Sequence, residues 1–426
     1  MKIIPRHLTT RLNQVVESSR VVNIVGPRQA GKTTLVKDLT ASARYVTLDD
    51  DAMRAALETD PYGQLLILAK EAKEARLPIV LDEVQRLPDI TLSLKRIVDA
   101  DRRPGQFILT GSSDIFAAGK AYDSLAGRVM TLTLRPLSAA EVAKRAPCRL
   151  LDAVSEHKQD CMGTLPKPVS LSRAEAIDLI LRGGFPEIRN LAEPNRVQRY
   201  LSYLDSIVER DVAPIAEVRK PDTLRRLIDQ LAARTAEELS VAALCNLLGS
   251  RKETVNDYID ILSRLGIVHR LGAWTSSGGK REIRAPKIHF LDTGCATAIR
   301  GEDSDSFDLG ANPAALGHLL ESFVFIELEK SLPLLGKRWR LYHWRQASRE
   351  IDIVAEAPGK LLALFEIKAA VTVNADDFRH INWFFDQGPG KSYRGAGFVV
   401  YLGDDLLSLG TGRIALPLSM FWSYKP

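Results

Sequence analysis

Cysteine is scarce: four in 426 residues, at 148, 161, 245 and 295, with no CxxC pair among them. That spacing excludes a disulfide scaffold, offers no zinc-ligand pair, and points to a reducing, cytoplasmic setting. Long apolar runs are missing as well. Nothing approaches the roughly 18 uninterrupted apolar residues of a membrane span, and Met1 to Thr10 carries Pro5, Arg6 and His7 where an export signal needs an apolar stretch. No membrane partner is expected. Charge of one sign is also lacking: 58 Lys and Arg stand against 53 Asp and Glu, a formal net charge of +5, so any nucleic-acid site must be local. Heptads and repeats of roughly 20 to 50 residues are absent, which excludes long coiled coils and solenoids. At ~100–200 residues per domain, the length leaves two to four domains.

The most informative segment is VVNIV at 21–25 followed by Gly26, Pro27, Arg28, Gln29, Ala30, Gly31, Lys32, Thr33 and Thr34. A β-branched strand, a loop of the form GxxxxGK[ST] and a helical pattern (Leu35, Val36, Leu39) follow one another, as a phosphate-binding loop requires. The glycines let backbone N–H groups turn inward, and the helix N-terminus adds positive potential where phosphates sit. Lys32 then reaches the β- and γ-phosphates, and the Thr33 hydroxyl binds Mg²⁺, so ATP and Mg²⁺ are the expected ligands.

About fifty residues on, LPIVLDE at 77–83 is an apolar strand ending in two acids. Asp82 is placed to hold Mg²⁺ through water and Glu83 to polarise the attacking water. The next strand, QFILT at 106–110, ends in Thr110 and Ser112, one of which can orient that water or read the γ-phosphate. Arg128 follows Gly127 immediately before the strand at 129–134. At a sheet edge it can serve a neighbouring subunit's nucleotide as an arginine finger.

The run GPRQAGKTT, IVLDEVQ, ILTGSS and SLAGR resembles the bacterial and archaeal AAA-type (AAA+) ATPases that carry a C-terminal domain of unknown function of the DUF4143 type. GGFPE at 183–187, Arg210 with Asp211, and PKIHFLDTG at 286–294 are similar to that family's later motifs, so the resemblance covers nearly the whole chain. It implies that Arg128 acts in trans within a homo-oligomer, a ring such as a hexamer.

Residues 147–170, with Pro147, Pro166, Pro168 and Gly163, read as a loop or linker. Ser172 with Glu175 forms a capping box that opens a helix ending at Gly183, and a second helix runs from about Asn195 to Val212. The resemblance implies a helical lid here, whose arginine is one of Arg182, Arg189 and Arg210. Residues 239–249 and 251–265 have the spacing of a helix-turn-helix, with Ser250 and Glu253 as a cap, followed by a Gly-rich tip and the basic return KREIR at 280–284. The whole reads as a winged helix whose wing has the charge for phosphate contacts, whereas its second helix is formally neutral.

After an acidic linker near 301–311, a helix at about 314–330 carries Glu321. REIDIVA at 349–355, a Pro358-Gly359 turn and KLLALFEIK at 360–368 form a hairpin, whose alternation puts Glu366 and Lys368 on one face and can bring Asp352 beside them. Two carboxylates and a lysine suit Mg²⁺- or Mn²⁺-assisted phosphodiester hydrolysis, with Asp352 and Glu366 as metal ligands. The order of helix with Glu321, Asp352, Glu366-x-Lys368, helix and strand resembles the PD-(D/E)xK nuclease fold, with Ile351 where that name has proline.

The expected fold class is therefore α/β: a P-loop AAA+ core at 1–146, a linker and helical lid at 147–215, a winged helix-turn-helix at 216–298 and an α/β nuclease-like domain at 299–426. The expected function is ATP hydrolysis coupled to action on DNA or RNA. The alternative is a nucleotide-switched protein whose C-terminal domain binds a partner without cleaving anything.

Overall fold

The computed structural model describes residues 3–111, 125–212, 221–276, 284–308 and 313–425. They form two compact units: residues 1–137 with 264–266, and residues 138–263 with 267–426.

The first unit is a five-stranded parallel sheet, β1 (Val21–Val25), β2 (Arg44–Thr47), β3 (Ile79–Asp82), β4 (Phe107–Gly111) and β5 (Val129–Thr133), in the order β2-β3-β4-β1-β5. Strands β3 and β4 are buried along their whole length, which is why their sequences read as continuous apolar runs rather than alternating ones. Helices α1 (Leu8–Val16), α2 (Lys32–Asp38), α3 (Asp51–Thr59), α4 (Pro61–Ala75) and α5 (Ile90–Ala100) supply two apolar layers. Leu12, Leu35 and Val36 pack with Val22 and Ile24, whereas Leu65, Leu94 and Val98 pack with Leu81 and Leu109. Because all strands run one way, β1, β3 and β4 end together at one rim of the sheet. The phosphate-binding loop, Asp82 and Thr110 all meet there.

In the second unit, the segment expected to be a linker folds. After α6 (Ala139–Val142), α7 (Leu150–His157) buries Leu150, Leu151 and Val154, and a 3₁₀ turn at Lys158–Thr164 buries Cys161. The prolines that suggested a loop flank this element and do not interrupt it, so an apolar face forms between them. Ser172 and Glu175 cap α8 (Arg173–Arg182) reciprocally, and α9 (Asn195–Ile207) continues as a π turn to Val212. Then come α10 (Pro221–Ala233), α11 (Val241–Leu248) and α12 (Lys252–Arg264), with the antiparallel pair β6 (Val268–Leu271) and β7 (Lys287–Phe290). The expected cap at Ser250 is not made: its hydroxyl donates back to the Leu248 carbonyl (3.3 Å).

Following α13 (Thr293–Arg300) and α14 (Pro313–Ser331), the remaining strands are β8 (Arg340–Gln346), β9 (Arg349–Ala357), β10 (Leu361–Ile367), β11 (Arg394–Tyr401), β12 (Leu407–Ser408) and β13 (Arg413–Pro417). They form a six-stranded sheet in the order β12-β13-β11-β10-β9-β8. β8, β9 and β10 make an antiparallel meander, and β11, reached through α15 (Arg379–Asp386), joins β10 in parallel. Trp344, Leu362, Leu364, Phe378, Ile381 and Phe384 form the core on one face.

Candidate functional sites

In the first unit, β1 delivers the chain into the loop at Gly26 and α2 takes it up at Lys32. Gly26 has φ +152°, and a Cβ there would stand 2.0 Å from the Leu134 carbonyl oxygen, held close because the Leu134 amide donates to Val25 O (2.8 Å). Gly31 caps α2 from the left-handed region, φ +96°. Lys32 is buried and donates from Nζ to the carbonyls of Gly26 (2.8 Å) and Pro27 (2.9 Å), so the loop is drawn around its own ammonium.

The Thr33 hydroxyl donates to Asp82 Oδ2 at 2.9 Å, and the Tyr45 hydroxyl reaches the same oxygen at 2.5 Å. Asp82 Oδ1 accepts from Thr110 and from the Glu83 amide (3.1 Å). Thr110 therefore orients Asp82; Ser112, its alternative, lies outside the described residues. Burial and the neighbouring Asp82 carboxylate push the Tyr45 phenol up, which keeps it a donor. All these groups are hard oxygen donors on one small volume, a set that fits Mg²⁺: Thr33 would supply its hydroxyl and Asp82 its carboxylate.

Glu83 adopts a left-handed backbone, φ +60°. Gln85 Nε2 donates to its Oε2. Such a backbone in a non-glycine residue costs of order 1–3 kcal/mol, which packing of the buried Asp82 and Val84 on either side sustains.

No sequence motif assigns a role to Arg6. Its side chain is buried under the loop, with Nη1 donating to Ala30 O (2.7 Å) and Nη2 to Arg135 O (2.6 Å). Removing it strips a buried carbonyl in the loop of its donor, a loss of about 1–3 kcal/mol. Arg6→Ala is expected to weaken binding of a fluorescent ATP analogue roughly tenfold, the equivalent of about 1.4 kcal/mol, with Arg6→Lys intermediate. Unchanged affinity in both variants would remove Arg6 from the site.

Arg128 stands at the opposite rim. Val129 pairs with Val21, the first residue of β1, and the Val21 amide donates to Arg128 O (3.2 Å). The loop lies beyond the far end of the five-residue β1, about 16 Å away at ~3.3 Å per residue, out of an arginine's reach. Its guanidinium grips both oxygens of Asp99 (2.5 and 2.9 Å), which holds Asp99 below the usual carboxylate range.

In the second unit, Arg182 pairs with Asp178 (2.5 Å) and Arg189 donates to Gly183 O (3.2 Å); the Arg210 side chain lies outside the described residues. α12 buries Val255, Tyr258, Ile259 and Leu262 and exposes Lys252, Glu253 and Asp257, with Arg251 exposed just before it. Asp260 is paired with Arg270 of β6. The basic tip at 280–283 falls outside the described residues.

The C-terminal carboxylates converge, with additions. Register pairs running from Leu361 with Ala357 to Phe365 with Ile353 carry Asp352 opposite Glu366, and Asp352 Oδ2 accepts from the Ile367 amide (2.9 Å). Glu321 arrives from α14. Three residues missed in the sequence complete the cluster: Glu350, His380 and Lys287. Lys287 Nζ lies 2.8 Å from Glu321, 2.7 Å from Glu350 and 3.5 Å from Asp352. Its side chain is only 3% exposed. Burial works to lower the Lys287 ammonium, but Glu321, Asp352 and Glu350 outweigh it and hold it charged. Burial raises Glu321 and Glu366 well above the carboxylate range, with Asp352 adding to both. Lys368 is half-buried.

This donor set does not fit a divalent metal as it stands. Among the described residues no group of three or more His, Cys, Asp and Glu is arranged to hold one. A divalent ion about 4 Å from the Lys287 ammonium would meet a repulsion of about 8 kcal/mol at an effective dielectric constant of ~20.

Beside the cluster, His289 and His343 are buried. Burial first, then the Lys287 charge, lowers both, His343 to about 4. Their folded pKa values lie below the unfolded 6.5, so the neutral histidines support folding above that pH, and the support is lost as pH falls toward 4. Between pH 7 and pH 5 His343 alone should cost about 2 kcal/mol. Thermal melts at the two pH values check this, and an equal loss in His343→Asn would overturn it.

A family model for an AAA domain matches residues 18–143, and two models for domains of unknown function match residues 173–306 (DUF8612) and 316–421 (DUF4143). The chain is 32% identical over 374 residues to an uncharacterized protein of Mycobacterium bovis and to one of Mycobacterium tuberculosis, covering 87% of this chain and 75% of each. An uncharacterized protein of Haemophilus influenzae is 23% identical over 396 residues, covering 87% of this chain and 88% of its own. Among solved structures, the Walker-type ATPase of Pyrococcus abyssi is similar at TM-score 0.41 and 13% identity, over 70% of this chain and 96% of that one. No helix among the described residues is long and apolar enough to cross a membrane.

Proposed function

This chain belongs to the family of its mycobacterial relatives, and since its first unit is a P-loop AAA domain of the ATPase type, we propose that it hydrolyses ATP with Mg²⁺ in a homo-oligomer. The observation that carries this reading is the Thr33 hydroxyl 2.9 Å from the Asp82 carboxylate, beside a loop already wrapped on Lys32. Lys32 binds the β- and γ-phosphates in exchange for two carbonyls. Thr33 and Asp82 would hold Mg²⁺, which would neutralise phosphate charge there, and Glu83 orients the attacking water. Arg128, too far from its own loop, serves the adjacent subunit. Lys32→Ala should abolish Mg²⁺-dependent ATP turnover; turnover that survives it would sink the reading.

The finer part of the proposal is that ATP hydrolysis serves an action on nucleic acid. Supporting it are the three-helix segment with the β6-β7 pair, readable as a winged helix, and the order helix, three-stranded meander, helix and parallel strand around Asp352, Glu366 and Lys368, readable as nuclease-like. One observation favours a second reading, in which the C-terminal domain only binds a partner under nucleotide control: Lys287 sits where a nuclease needs its metal. Incubation with labelled single- and double-stranded DNA and RNA, with Mg²⁺ or Mn²⁺, separates them. Cleavage lost in Asp352→Ala and Lys368→Ala supports the nuclease, whereas no cleavage supports the second reading.

A further inference from the structure

The carboxylate cluster of the second unit is completed by a cation that the chain itself provides. Lys287 comes from β7, outside the helix, meander and helix that carry Glu321, Glu350, Asp352 and His380. Its ammonium has three N–H donors and three carboxylates within 3.5 Å, so its hydrogen-bonding capacity is used up. Glu366 lies in the same charged cluster. This side chain is 8% exposed, its Oε1 has no hydrogen-bond partner, and the His380 Nδ1 that stands 3.6 Å away is already bonded to the Glu350 carbonyl (3.1 Å). A buried carboxylate oxygen without a donor is costly unless a cation or proton meets it. The cluster thus has more acceptors than its resident cation satisfies.

We propose that Lys287 is an internal stand-in for a divalent metal ion, which keeps the cluster closed to Mg²⁺ and Mn²⁺ for as long as its ammonium is inserted. The inference rests on the nuclease-like reading only for what the opened site would do; the exclusion itself follows from the geometry. A divalent ion entering these carboxylates must overcome the repulsion of an ammonium already among them, and that ammonium, tethered in the fold, binds at a high effective concentration.

The test uses the full chain without nucleotide, with Mn²⁺ binding followed by electron paramagnetic resonance. Lys287→Ala should bind one Mn²⁺ more than the wild type, with affinity at least tenfold tighter than any wild-type binding lost on Glu366→Gln, and Lys287→Ala/Glu366→Gln should lose it. Because the exposed carboxylates can destabilise Lys287→Ala, Lys287→Gln, which retains an amide donor, is measured beside it, with thermal stabilisation by Mn²⁺ as a second readout. Wild type binding Mn²⁺ through Glu366 as tightly as the variants, or folded variants gaining no site, would overturn the proposal. A variant that gains Mn²⁺ but cleaves no DNA or RNA leaves it standing and removes the nuclease reading instead.

Discussion

Glu83→Gln is expected to lower ATP turnover by roughly 10²- to 10⁴-fold while ATP affinity stays within a few-fold of the wild type, the range attributable to one positioned general base. The substitution preserves the shape and the contact with Gln85, and it leaves Asp82 with its hydroxyl and amide donors. Only the ability to draw a proton from water changes. Glutamine tolerates the strained φ of +60° no worse than glutamate, so a fall in stability is not expected. Single-turnover hydrolysis together with equilibrium binding of ATP checks both halves. Turnover equal to the wild type would assign water activation to another residue.

Arg128→Ala is expected to lower turnover by ~10³-fold or more, with most of the loss recovered on mixing with Lys32→Ala subunits. In such mixtures the Lys32→Ala subunit still offers Arg128, and the Arg128→Ala subunit still offers an intact loop. The Arg128–Asp99 pair is partly exposed, and such pairs are weak in water, whereas a finger supplies ~10³–10⁵ in rate, so release of Arg128 is readily offset. On the proposed reading, a neighbour's phosphate displaces Asp99 from Arg128. Absence of recovery in mixtures of any ratio would exclude action in trans.

Legibility followed the distance over which each feature is encoded. The loop at 26–34 and the paired acids at 82 and 83 are contiguous, and each carries a backbone or charge requirement that few other segments share. The helix capped by Ser172 and Glu175, and the hairpin at Pro358-Gly359, are local in the same sense and appear in the structure with nearly the expected ends. Residues 147–170 misled because proline marks an interruption only when it falls inside an apolar pattern, and here it falls outside. Arg6 and Lys287 were illegible for another reason. Each is a single basic residue, Arg6 outside any motif and Lys287 inside the PKIHFLDTG run, whose partners are backbone carbonyls or carboxylates brought to it only by packing.

The sequence by itself determined that a phosphate loop, two acids after a strand and an arginine before the last strand of the first sheet would exist, because each is a short run read by its own neighbours. Tertiary structure alone decided where they stand: parallel pairing of β1 with β5 puts Arg128 at the rim opposite its own loop. It also decided the character of the C-terminal cluster. Asp352 and Glu366 were visible as candidate metal ligands, but the cation among them is Lys287. Which cation a set of carboxylates accepts depends on every charge packed within a few ångströms, and that neighbourhood forms only when β7, α14 and the meander come together.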